Sequence, residues 1–144
     1  MRSLLDISVV IALLDPDHDF HARAHTWWHA HRDQGWASCP LTENGVVRIM
    51  ANPSYNRRRS LAPQAVIDLL GRFVHAGNHE FWADELSILD GVSIDSARIM
   101  GPRQITDLYL LALAVKHQGR LVTFDESIYV GAVTGAREQH LAIV

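Results

Sequence analysis

The sequence predicts an α/β fold built on a largely parallel sheet. Short apolar runs alternate with segments of helical periodicity, two of the apolar runs end in Asp, and no repeat, low-complexity tract or linker divides the chain. Its 144 residues are the size of one domain, spanning residues 1–144. A chain of this length buries roughly 70% of its unfolded surface and needs no covalent staple.

Residues 3–5, Ser-Leu-Leu, run into Asp6 and read as a first buried strand. Ser8 is placed to cap a short helix through Leu14, and Asp15-Pro16 stops it. Over residues 18–32, Phe20, Ala24, Trp27 and Trp28 recur at helical spacing. Residues 35–38 form a second strand. Pro40 suits the first position of a helix running to about Met50, with Glu43 in its first turn and Asn52-Pro53 at its end. NPSYNRRRS is an exposed loop. Residues 63–75 form an amphipathic helix with Val66, Leu69, Leu70, Phe73 and Val74 inward, broken by Gly77-Asn78. Residues 80–83 form a short strand, and residues 86–104 loop and helical turns. Thr106 caps a helix that closes at Gly119. Residues 120–124 form a strand ending at Asp125, and residues 141–144 a last one.

The net charge is −3 with nine His taken as neutral, so any nucleic-acid contact has to come from a local basic patch. The single cysteine, Cys39, excludes an internal disulfide and fits a reducing compartment; it reads as a small buried side chain. The opening run MRSLLDISVVIALLD is interrupted by Asp6, is too short to span a bilayer and has no small-residue cleavage site. The expectation is a cytoplasmic protein with no membrane association.

Asp107 poses the sharpest question. It opens ITDLYLLALAV, a nearly all-apolar helix, with no Lys or Arg in the next turn. A carboxylate near a core is expensive unless something pairs with it or ligates it. Asp6 and Asp125 each follow a strand, and Glu43 and Asp107 each open a helix. In a parallel α/β sheet, strand C-termini and the following helix N-termini lie along one edge, where such folds bind ligands. Singly, each residue is an ordinary cap. Jointly, four like charges on one edge raise one another's pKa values or push apart, and a hard divalent cation such as Mg²⁺ resolves the crowding. The chemistry that uses such a site is metal-assisted phosphodiester hydrolysis, with two-metal sites holding their ions roughly 3.5–4 Å apart.

LLDISVVIALL, LTENGVVRIM and ITDLYLLALAVKHQGRLVTFD together resemble a PIN domain, and more narrowly the VapC toxins of bacterial type II toxin–antitoxin systems. EFWADELSILD resembles a subgroup of those toxins. The resemblance runs nearly end to end. It implies a three-layer α/β/α fold with a central, mostly parallel sheet, Mg²⁺- or Mn²⁺-dependent endoribonuclease activity on RNA, a homodimer, and a cognate antitoxin that plugs the acidic groove. It also implies that Asp6, Glu43, Asp107 and Asp125 occupy the family's acidic metal-site positions. Asp6 and Asp107 would be the first ligands. Glu43 would ligate a metal or orient the attacking water, and Asp125 would bind a second metal or support the others from outside. Ser8 and Thr123 match small hydroxyl positions that hydrogen-bond these carboxylates.

Arg57, Arg58 and Arg59 form the one dense basic run, fit either for RNA phosphates, with a salt-dependent contribution, or for plain solvation. Arg103 lies near the site in sequence and would either contact phosphate or pair with an acidic neighbour. Glu126 reads as a solvated turn residue. His21, His25 and His29 share one helical stripe that is able to chelate Zn²⁺ or Ni²⁺, but no further donor completes a site, and a surface or dimer contact is the plainer expectation. Trp27 and Trp28 read as core or interface anchors.

Other classes fit less well. A haloacid-dehalogenase-like phosphatase needs a second Asp where Ser8 stands. A receiver domain needs a Lys after a late strand, and the nearest cations are Lys116, inside a helix, and Arg120. A dinucleotide-binding fold needs a Gly-rich turn that DISVV lacks. The alternative function is a non-catalytic PIN-like RNA- or protein-binding module, from which lost acidic residues would be expected.

Overall fold

The computed structural model describes Met1–Val144. One five-stranded sheet comprises β1 (Ser3–Leu5), β2 (Trp36–Ser38), β3 (His79–Phe81), β4 (Arg120–Thr123) and β5 (Leu141–Ile143). The spatial order is β3-β2-β1-β4-β5 and every neighbouring pair is parallel. Five helices cover it: α1 (Ile7–Leu14), α2 (His21–His31), α3 (Pro40–Met50), α4 (Pro63–His75) and α5 (Ile105–Lys116). None is long and apolar enough to cross a membrane.

Strand alternation splits the core in two. Leu4, Ala37 and Leu121 face a cluster formed with α5, while Leu5, Trp36 and Val122 face a second formed with α1, α2, α3 and α4. The result is three layers, with α5 alone as the principal helix of one outer layer. Six residues of α5 are buried, Leu108 and the run from Leu110 to Ala114, which is why its sequence is apolar nearly all round. The chain winds outward from β1 through β2 to β3, then returns across the sheet to β4 on the other side of β1. The switch in winding direction opens a crevice at the C-terminal ends of β1 and β4.

Several boundaries differ from expectation for local reasons. The second helix starts at His21, because the Phe20 amide donates to His18 Nδ1 at 3.0 Å and the Phe20 ring packs on Phe124, 4.9 Å between centroids. β3 begins at His79 rather than residue 80, set by its pairing with all of β2. Thr106 does not cap α5: a 3₁₀ turn, Pro102–Gln104, feeds straight into the helix, which begins at Ile105. That helix ends at Lys116 with His117 as its C-cap, and Gln118 rather than Gly119 takes the left-handed conformation, φ 54°. Gly119 is required for close approach instead, since a Cβ there would lie 2.7 Å from the Arg2 carbonyl oxygen.

The histidine stripe serves α1. His21 Nδ1 donates to the Ala12 carbonyl at 2.7 Å and His25 Nε2 to Leu13 at 3.0 Å, supplying donors to a helix end with no basic residue of its own. No three His, Cys, Asp or Glu side chains anywhere are arranged to hold a metal ion. Trp28 anchors the core against Phe73 and Trp36, at 5.2 and 6.0 Å, while Trp27 lies under the Arg120 guanidinium at 5.4 Å. Cys39 is buried, and burial pushes its thiol up to about 11.

Candidate active site

Asp6 stands at the C-terminal end of β1, at the switch point. Extended backbone, φ −63° and ψ 154°, carries the chain from β1 into α1, so Asp6 and not Ser8 is the N-cap. Its Oδ1 accepts the Ile7 amide at 2.6 Å; its Oδ2 accepts Ser8 Oγ at 3.1 Å and Thr123 Oγ1 at 2.8 Å. Both hydroxyls therefore hold this one carboxylate. Thr123, fully buried at the end of β4, also accepts the Asp125 amide at 3.1 Å, which couples the two strand ends directly.

Asp125 is exposed and accepts both the amide and the hydroxyl of Ser127, at 2.7 and 2.6 Å. Those bonds hold its carboxyl below the usual range. Asp107, in the first turn of α5, is in the opposite condition: burial, then the charge of Asp6, then that of Asp125 push it up to about 6. Nothing acting on it offsets those three influences. Asp6, Asp107 and Asp125 thus meet in one electrostatic neighbourhood.

Glu43 is held by a different set of partners. In the first turn of α3, its carboxylate accepts Ser38 Oγ at 2.5 Å, and Ser38 Oγ is also 2.7 Å from His79 Nε2. Glu43 borders a cleft with Val47, Ile67 and Leu70 between α3 and α4, and its charge is not among those acting on Asp107. Ser38, His79 and Ser127 are site neighbours that sequence reasoning missed. Ser127 had a legible signal, the two-residue spacing of an Asx turn; His79 lies 41 residues from Ser38 and had none. Arg57, Arg58 and Arg59 project from the loop after α3, where Asn56 Oδ1 accepts the amides of Arg58 and Arg59. Arg103 is exposed in the turn leading into α5. None of the four forms a salt bridge, and Glu126 is exposed.

The donor chemistry, though not the present spacing, fits a hard divalent cation: no three acidic side chains stand in ligating positions here. The donors are all oxygen, and Asp107 bears an uncompensated cost that a cation would remove. Thr123→Val, which deletes the hydroxyl between Asp6 and Asp125, is expected to lower any metal-dependent activity about 10- to 100-fold with little loss of stability; steady-state rates and a melting curve check it.

Comparison with known proteins agrees with this geometry. The family model described as "PIN domain" matches residues 3–132. The chain is 53% identical over 142 residues to Ribonuclease VapC44 of Mycobacterium tuberculosis, covering 99% of each chain. It is 38% identical over 138 residues to Ribonuclease VapC39 of the same organism, covering 96% of this chain and 99% of that one. A crystal structure of VapBC2 from Rickettsia felis, bound to a DNA fragment from their promoter, shares the fold at a TM-score of 0.56 and 12% identity, covering 100% of this chain and 98% of the other. On the sequence match and the fold together, the chain belongs to the PIN domain family, in its VapC branch.

Proposed function

We propose that this protein is an endoribonuclease, the toxin of a VapBC-type toxin–antitoxin system, and that it hydrolyses RNA phosphodiester bonds with Mg²⁺ or Mn²⁺ in the cytoplasm. The observation that carries the proposal is the burdened carboxylate of Asp107, raised by burial and then by Asp6 and Asp125 at the switch point of a parallel sheet. Asp6 and Asp107 would hold the ion, and Asp125 would hold a second or steady the first. When bound, the ion supplies Lewis acidity toward the phosphoryl oxygen and activates water.

The chain's own residues do the positioning. Ser8 and Thr123 lock the Asp6 carboxylate, and Ser127 locks Asp125. Ser38 holds one oxygen of Glu43, leaving the other to ligate the ion or orient water. Arg57, Arg58, Arg59 and Arg103 supply unpaired positive charge for RNA phosphates, so binding weakens as salt rises. A homodimer and an antitoxin partner that covers the acidic crevice complete the proposal.

Purified antitoxin-free protein should cut cellular RNA, lose all cutting in EDTA and regain it on addition of Mg²⁺ or Mn²⁺. Cleavage that persists through chelation would defeat the metal mechanism. RNA binding with no cleavage under any metal would favour the non-catalytic module.

A further inference from the structure

Beyond the acidic crevice, Ser127 opens onto a second surface. The side chain that fixes Asp125 also lines a cleft of about 610 Å³ with Ala97, Arg98, Met100 and Tyr129. That is within the size range of small-ligand sites. A neighbouring cleft shares Ser127 and Met100 and adds Arg103. The two meet at Ser127, whose hydroxyl bonds Asp125.

Tyr129 is built as a platform in the first cleft. Tyr129 is 46% exposed as a residue, and its ring tip lies back across Gly131. A Cβ at residue 131 would come 2.6 Å from Tyr129 Cζ and 2.7 Å from its hydroxyl oxygen, so the ring holds this position only over glycine. Arg98 fixes the floor beneath: its Nη1 donates to the Gly131 carbonyl at 3.2 Å, and its Nε pairs with Asp95 at 3.2 Å. Met100, 77% exposed, adds apolar surface beside the ring. Arg103 lines the neighbouring cleft with no acidic partner.

From this arrangement we infer that Tyr129 is the stacking platform for an unpaired base of the RNA substrate, one next to the cleaved bond, with Arg103 on the adjoining phosphate. The inference rests on the ribonuclease activity proposed above and adds the residues that hold a base beside the cut. A flat ring accepts only a base that has left its helix, so the RNA is single-stranded here. Stacking on an aromatic side chain tolerates any base, so Tyr129 confers a requirement for an unpaired nucleotide rather than for a given letter.

The test is steady-state cleavage of short single-stranded RNA oligonucleotides by the wild type, Tyr129→Ala, Tyr129→Phe and Gly131→Ala, with Leu89→Ser as an exposed apolar control outside the cleft. Tyr129→Ala is expected to lower kcat/KM about tenfold or more, chiefly through KM, with an unchanged melting curve. Tyr129→Phe should restore most of the loss, and Gly131→Ala should fall between. An abasic nucleotide walked along the RNA should weaken the wild type at one position next to the cut and leave Tyr129→Ala no worse there. The same sequence as a duplex should be cut at least about tenfold more slowly. If the wild type cuts while Tyr129→Ala cuts as well, or if no abasic position or duplex matters, the platform is wrong and the ribonuclease stands. A wild type that cuts no RNA overturns both.

Discussion

Asp107→Asn should abolish RNA cleavage, lowering it by about 10³-fold, while making the metal-free protein more stable at neutral pH. The two effects have one cause. Asp107 is half-buried and faces Asp6 and Asp125, so its carboxyl rises from 3.8 to about 6. A carboxyl whose pKa is raised by folding binds its proton more tightly in the native state. Stability therefore falls as pH climbs from about 4 to about 6 and stays reduced above that. The fully buried limit of that cost is about 3 kcal/mol. Asp107 is partly solvated, and screening reduces it to roughly 1–2 kcal/mol. Asparagine carries no charge to desolvate and no repulsion to bear. Its melting temperature at pH 7 should exceed the wild type's by roughly 5 °C, and the advantage should vanish near pH 4. Adding Mg²⁺ should raise the wild type's melting temperature and leave the variant's unmoved. A variant equally destabilised at both pH values, or one that still cuts RNA, would show that Asp107 bears no such burden.

The second large effect is structural. Leu111 is fully buried in the middle of α5, in the cluster that joins this helix to Leu4 and Leu121 of the sheet. Leu111→Ala should cost about 2–5 kcal/mol, the transfer loss plus an unfilled cavity. Thermal unfolding should show a fall of roughly 10 °C. Lys116, at the exposed end of the same helix, pairs with Glu85 at 3.2 Å with both side chains well solvated. Lys116→Ala should cost under about 1 kcal/mol. Comparable losses in the two variants would mean that α5 is not the packed layer described.

Much of this was legible in the sequence, because it is encoded locally. Pro40 and Met50 bound α3, and Pro63 and His75 bound α4, as proline placement and periodicity indicated. Apolar strands ending in Asp6 and Asp125 located the crevice. What escaped depends on contacts between remote segments. The orientation of Glu43 is decided by Ser38 and by His79 from another strand. The histidine spacing showed a shared stripe but not that the stripe faces the spent carbonyls of α1. Thr106 looked like a cap because a preceding 3₁₀ turn leaves no sequence mark as strong as a threonine. Tyr129 gave no local signal, since its exposure follows from how Gly131 and Arg98 pack beneath it.

The pairing of β1 with β4 has a kinetic consequence. Thr123 and Asp6 are separated by 117 positions, and they meet only once the two central strands have zipped together. Contacts of such long range carry a heavy loop-closure entropy and form slowly. An incompletely folded chain therefore has its acids scattered along a flexible polymer and no means of gathering them. For a molecule proposed to destroy RNA, this ties the onset of damage to completion of the native topology, so nascent or misfolded copies are inert.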